Sequence, residues 1–188
     1  MMIELVLENE MIEQLSSMKG KTLKSYDYYP CPCEGSSLGF IRLNFSNFAI
    51  DIETDYKAYT CTGFSGEPYS DEATVITCKK KAAKEKYDIP EGWEMRRYLV
   101  GEVVSEIMIV RDTIKISNGD VFVYDNAMVI KTKDSTYTIS KGCEVDPSLY
   151  IRNNEKIDVP YLVRTERDNF SDTEHKMRAT VSRDYIFI

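Results

Sequence analysis

The strongest hint of chemistry is Asp51, Glu53 and Asp55 at alternate positions, followed by Lys57. On a strand, alternate side chains share a face, so the three carboxylates would lie together. Carboxylates so placed could hold Mg²⁺ while a lysine steadies an attacking water, the logic of a divalent-metal-dependent hydrolase or nuclease. Asp27 would have to supply the upstream acid. The rest of the chain reads as β-rich and does not offer the flanking helices such nucleases use. Alternating acids are also what the wet side of a half-exposed strand carries. The preferred reading is therefore a contact face, with catalysis as the rival.

The other candidates are thinner. Cys31-x-Cys33 could join Cys61 and Cys78 in a tetrahedral zinc site, but structural zinc pairs are usually spaced by two to four residues. With Cys143 the cysteine count is odd, and reduced, metal-free thiols are expected; no cofactor and no metal is expected either. Gly35-Ser36-Ser37-Leu38-Gly39 has the G-x-S-x-G letters. A nucleophile elbow needs a strand before it and a helix after it, and here a proline-rich loop precedes and a strand follows. His175 is the only histidine and sits in a polar stretch, so no triad can be assembled around it. Lys79, Lys80, Lys81, Lys84 and Lys86 form a basic run without interleaved aromatics for base stacking, which reads as a solvated helix face. Tyr26, Tyr28 and Tyr29 cluster before the Cys-Pro loop, and Tyr56, Tyr59 and Tyr69 follow the first hairpin. Tyrosine presents an apolar body and a polar tip, which suits an interface.

The elements that would position these residues are mostly strands. Met11, Ile12, Leu15 and Met18 fall on one helical face, with Asn9 as N-cap, Glu10 and Glu13 in the first turns and Gly20 as the stop, which predicts a helix over 9–19. An extended stretch over 22–29 follows, then a hairpin of 38–45 and 48–56 around Ser46-Asn47, with Phe48, Ile50 and Ile52 facing the core. A loop is expected over 60–70, a strand over 73–78, and a short helical stretch over 79–87 that must end before Pro90. In the second half, turn-forming pairs recur at Arg111-Asp112, Asn118-Gly119, Asp125-Asn126 and Lys133-Asp134. They predict a five-stranded antiparallel meander over 103–140, with a type I′ turn at Asn118-Gly119 and further strands over 159–165 and 177–188. The expected fold class is α+β, strand-dominated: an N-terminal helix packed on an antiparallel sheet, with a C-terminal β-meander. It is read as a single domain with room for two lobes: 1–78 as helix plus β-hairpin, 79–97 as a basic connector, and 98–188 as the meander.

Composition bounds the function. The chain has 188 residues, 31 acids against 24 bases, and a net charge of −7. The segment 79–97 runs against this, with seven bases and four acids. An acidic chain does not present the concentrated positive field that generic nucleic-acid or anionic-membrane binding needs. No apolar run approaches the ~20 residues that span a bilayer, and the start lacks a basic n-region, so a cytoplasmic location is expected. The function expected is a small acidic protein-binding module, most concretely an inhibitor or immunity-type protein that docks on a basic protein surface. Asp51, Glu53, Asp55, Tyr26, Tyr28 and Tyr29 are its candidate contacts. Two rivals stand: the metal-dependent enzyme using Asp51, Glu53, Asp55 and Lys57, and a structural subunit whose apolar end, Tyr185-Ile186-Phe187-Ile188, packs on a neighbour or on a second copy.

Overall fold

The computed structural model describes residues 1–30, 36–62, 66–86, 94–142, 147–154, 159 and 179–188. The elements are β1 (Met2–Leu5), α1 (Asn9–Ser16), β2 (Thr22–Pro30), β3 (Ser36–Asn44), β4 (Phe48–Thr62), β5 (Pro68–Ala82), β6 (Arg96–Ile116), β7 (Val121–Thr132), β8 (Thr136–Lys141), β9 (Leu149–Asn153) and β10 (Ala179–Phe187). Among the described residues one eight-residue helix stands against ten strands, which makes the fold mostly β, and α+β describes it only loosely. No helix among the described residues is long and apolar enough to cross a membrane.

The strand pairings close on themselves. β6 pairs β7, β7 pairs β8, β8 pairs β9, β9 pairs β3, β3 pairs β2, and β2 pairs β6 again, all antiparallel. Three additions extend this circuit: β1 lies parallel on β7, β10 lies antiparallel on β6, and the long β4–β5 hairpin continues from β3. Strands from the first and second halves of the chain thus share one hydrogen-bonded sheet.

Period-2 alternation explains the interior. Leu23, Tyr26 and Tyr28 of β2, Ile41 and Leu43 of β3, Ile50 and Ile52 of β4, Ile107 and Ile109 of β6, Met128 and Ile130 of β7 and Ile139 of β8 all turn to one buried cluster. Each such side chain removed from water stabilises the fold by about 1.5–3 kcal/mol. The helix closes this core with Leu15, its only fully buried residue, and with Met18 just beyond its end. It is shorter than expected and starts differently: Glu8, not Asn9, is the N-cap, without a side-chain cap bond. Gly20 turns the chain away with φ +73. The helix is fastened to β5, where Gln14 Oε1 accepts Lys80 N at 2.6 Å and Cys78 Sγ donates to Met11 O at 3.2 Å.

Several expected boundaries move. The loop expected over 60–70 is largely strand, since β4 runs to Thr62 and β5 begins at Pro68. The helix expected from Lys79 does not form, because Lys79–Ala82 continue β5 in register with Phe48–Asp51. Ladder pairing with β4 overrides a local helix preference there. The five-strand meander has fewer, longer strands. Arg111-Asp112 lies inside the 21-residue β6 and Asp125-Asn126 inside the 12-residue β7. Asp112, Asp125 and Asn126 are buried and bonded rather than turned into water, and Arg111 is half-buried. Arg111 pairs Asp125 with Nε–Oδ1 at 2.7 Å, Arg183 of β10 pairs Asp112 at 2.6 Å, and Asn126 Nδ2 donates to Asp112 Oδ2 at 2.8 Å. Asn126 is the extra residue where the β6–β7 register shifts, the arrangement of a β-bulge. Turns do form at Lys133-Asp134 and at Asn118-Gly119. The latter is not type I′, for only Gly119 has positive φ (+93) while Gly119 N bonds Ile116 O at 2.9 Å. That is a type I turn followed by a left-handed glycine. Of the strand expected over 159–165 only Val159 lies among the described residues; the one expected over 177–188 is β10.

Candidate functional site

Strand register assembles a row of charge across the sheet. Arg97 of β6 lies opposite Asp27 of β2, Asp27 opposite Arg42 of β3, Arg42 opposite Asp51 of β4, and Asp51 opposite Lys79 of β5. Opposite charges directly across a ladder stabilise it, and here the sign alternates over five strands. The pairs are bidentate: Arg42 Nε and Nη2 reach Asp51 Oδ1 and Oδ2 at 2.5 and 2.6 Å, and Arg97 Nε and Nη2 reach Asp27 at 2.7 Å each. Asn44 Nδ2 donates to Asp27 Oδ2 at 3.0 Å and to Ser25 Oγ at 3.1 Å.

The turn after β5 folds onto this row. Arg42 Nη1 donates to Glu85 O at 2.6 Å. The Glu85 carboxylate turns back to Lys81 Nζ at 2.8 Å and to Ala82 N at 3.3 Å, bonds that hold its carboxyl below the ordinary glutamate range. Between turn and sheet lies a cleft of about 270 Å³ lined by Arg42, Asn44, Ala83, Lys84, Glu85, Lys86 and Arg97. Lys84, Lys86 and nearby Lys79 are exposed and take no ion pair among the described residues.

The expected acidic face is split by this arrangement. Asp51 is 3% exposed and committed to Arg42, so it is not a surface contact. Burial means it has a partner, since an uncompensated carboxylate inside would be too costly. Glu53 and Asp55 are exposed. Partial burial first, then the Asp51 carboxylate, raise Glu53 above the ordinary range against the pull of Lys81, Lys79 and Arg42. Asp55 Oδ1 accepts Tyr56 N at 2.8 Å, and Lys57 Nζ donates to Glu4 O at 3.1 Å. The metal-hydrolase set is therefore not assembled: Asp51 and Asp27 are each occupied by an arginine, and Lys57 reaches away to β1. No group of three or more metal-binding side chains converges among the described residues.

The remaining candidates are placed as follows. Cys61 and Cys78 are buried in different clusters. Cys78 sits opposite Ile52, nine positions along β4 from Cys61, roughly 30 Å at strand rise, so one zinc ion cannot bind both. Cys31, Cys33, Cys143 and His175 lie outside the described residues. Ser37 is a buried β3 residue whose hydroxyl donates to Phe40 O, on a strand and not on an elbow. Tyr26, Tyr28 and Tyr29 point inward rather than to a partner. Tyr26 stacks on Tyr98 at 5.2 Å and Tyr28 on Tyr98 at 5.7 Å, while Tyr29 packs on Phe40. Burial, then the neighbouring Tyr98, Tyr28 and Tyr137 phenols, push the Tyr26 hydroxyl up to about 12. Tyr59 is buried as well, while Tyr56 and Tyr69 are exposed.

Sequence reasoning missed Arg42 and Arg97. A signal existed: Ile41-Arg42-Leu43 and Ile50-Asp51-Ile52 each set one charge between two core residues, nine positions apart across a hairpin. Fold and site define a mostly-β chain built on a closed antiparallel circuit, with a charge-lined cleft beside a long hairpin. No family model, curated protein or solved structure matches it.

Proposed function

We propose that the chain is a protein-binding module whose contact surface is the distal half of the β4–β5 hairpin, docking on a basic protein surface. One observation carries this reading: acids collect there with exposed aromatics. Residues 53–62 and 66–77 hold Glu53, Asp55, Glu67, Asp71 and Glu72 against the single base Lys57. Tyr56 and Tyr69 are exposed on the same segment. Beneath them Tyr59, Cys61, Ala73 and Val75 pack with Ile3, Leu5, Phe122 and Tyr124, so the acids ride on a supported scaffold. Complementary charge steers encounter, and tyrosine supplies contact area at low entropic cost. An inhibitor or immunity-type role would use such a surface.

The test is capture from the native host with the wild-type chain and with Asp55→Asn/Glu67→Gln/Glu72→Gln. A specific partner should associate more slowly with the variant, and the wild-type on-rate should fall steeply with ionic strength. A partner that binds both chains equally, with no salt dependence, removes this surface from the account.

A second reading rests on β10, which is the last strand of its sheet path among the described residues and exposes Tyr185 and Phe187. Such an edge suits assembly with another copy. Equal sedimentation of wild type and Phe187→Ser as monomers would discard it.

A further inference from the structure

We propose that Asn118 is a deamidation site that the docked tip of the β4–β5 hairpin keeps closed, and that loss of its side-chain amide frees the tip one way. It would do so whatever the hairpin binds. Asn118-Gly119 suits this reaction because glycine sets no side chain beside the attacking nitrogen and leaves the backbone free to turn. The Gly119 backbone nitrogen attacks Asn118 Cγ. An N–Cγ bond forms, the Cγ–Nδ2 bond breaks, and ammonia leaves with the proton that the attacking nitrogen gives up. Water then opens the cyclic imide to aspartate or isoaspartate. Asn118 and Gly119 are exposed, and a Cβ on Gly119 would meet nothing within 4 Å, so water reaches the imide.

Each participant in the first step is held in the folded chain. The nucleophile, Gly119 N, donates its proton to Ile116 O at 2.9 Å. Asn118 Oδ1 accepts Asp120 N at 2.9 Å, and the leaving nitrogen Nδ2 donates to Thr62 O at 3.0 Å and to Asp120 Oδ2 at 3.3 Å. Asp120 in turn accepts Thr62 N at 2.6 Å and Thr62 Oγ1 at 3.1 Å. Asn118 and Asp120 thus grip Thr62, the last residue of β4, by both its C=O and its N–H. Behind Thr62, Cys61 and Tyr59 pack into the cluster of Phe122, which Tyr59 meets edge-on at 5.5 Å. The amide must turn away from Thr62 O before it can react, so the tip opens first. A reaction that runs only from a local opening is slowed by the closed fraction. The product does not close again. A carboxylate at this position has no proton to give, and it would face two acceptors, Thr62 O and the Asp120 carboxylate.

The full chain is incubated at neutral pH, folded and in urea, and Asn118 is followed by mass spectrometry in the tryptic peptide 116–131, where fragmentation separates it from Asn126. Folded, Asn118 should deamidate roughly tenfold or more slowly than in urea. Asp120→Ala loosens the grip on Thr62 and should speed the folded-state reaction roughly threefold or more, while its rate in urea stays near wild type. Thr62→Val removes only the Oγ1 bond and should give a smaller increase in the same direction, which decides the matter if Asp120→Ala does not fold. Asn118→Asp, standing in for the product, should raise amide exchange at Cys61 and Thr62 roughly threefold or more. Equal rates folded and in urea, folded-state rates in both variants like wild type, or unchanged exchange in Asn118→Asp overturn the proposal.

Discussion

The two ends of the β4–β5 hairpin share strands, pleat and hydrogen bonding, yet carry opposite charge. At the end nearest α1, residues 48–52 and 78–86 bring five bases and two acids. At the far end, residues 53–62 and 66–77 bring five acids and one base. Asp51 and Asp55 lie on the same strand face, two pleats apart. Asp51 is buried against Arg42 and under the Arg42–Glu85 contact, whereas Asp55 is in water. Alternation decides which side a residue faces, and only what covers that side decides whether its charge is a strut or a contact.

The largest effect expected from breaking this contrast is at Arg42. Arg42→Met leaves the Asp51 carboxylate buried and uncompensated and should cost about 3–5 kcal/mol in urea denaturation. Asp55→Asn should stay within about 0.5 kcal/mol, as exposed substitutions do.

Next comes the junction between the two ends. Thr54 there donates to Pro147 O at 2.6 Å, and Gly39 of β3 packs beside both. A Cβ on Gly39 would lie 2.9 Å from Thr54 Oγ1 and 3.1 Å from Pro147 O, at φ +68. Gly39→Ala should therefore cost about 1–3 kcal/mol by thermal or urea unfolding. A Cβ at Gly119 meets nothing within 4 Å, so Gly119→Val should carry chiefly the backbone cost of its φ of +93, about 1–2 kcal/mol.

A smaller, pH-dependent effect is expected at the far tip. Asp120 accepts Thr62 N at 2.6 Å, Thr62 Oγ1 at 3.1 Å and the Met1 ammonium at 2.8 Å. Burial alone would raise this carboxyl, but those bonds outweigh it and hold it below the ordinary aspartate range. Its contribution is present above the unfolded-state pKa of about 3.9 and is lost as pH falls through the lower folded value. Amide exchange at Thr62 should accelerate below about pH 4, and Asp120→Asn should flatten that response.

The smallest effect is chemical. Burial pushes the Cys78 thiol up to about 12. Mass-mapped labelling of the native protein at pH 8 should leave Cys78 unmodified, while unfolding exposes it.

Much of the strand content was legible because apolar residues alternate, as in Phe48-Ala49-Ile50-Asp51-Ile52. Strand length was not. Arg111-Asp112 and Asp125-Asn126 have turn chemistry, and only the cross-strand partners Asp125, Arg183 and Asp112 make them strand residues. Those partners are up to 71 positions away, beyond any local pattern. Lys79–Ala82 show the same limit, since helix formers became strand once Phe48–Asp51 lay beside them. Closure of the strand circuit depends on the β2–β6 and β3–β9 pairings, which leave no mark on either strand alone. The candidate site was half legible: Asp51, Glu53 and Asp55 were seen as one face, but register with Arg42 separates the first from the other two.

A double-mutant cycle in urea tests that separation most directly. Arg42→Met, Asp51→Leu and their combination should give a coupling energy of about 2–3 kcal/mol, with the double variant recovering much of the loss, since well-packed apolar residues can replace a buried ion pair. Asp55→Asn with Lys57→Met should couple by less than about 0.5 kcal/mol, the range of exposed pairs. Additive effects at Arg42 and Asp51, equal to those at Asp55 and Lys57, would contradict the account and return Asp51 to the acidic contact face.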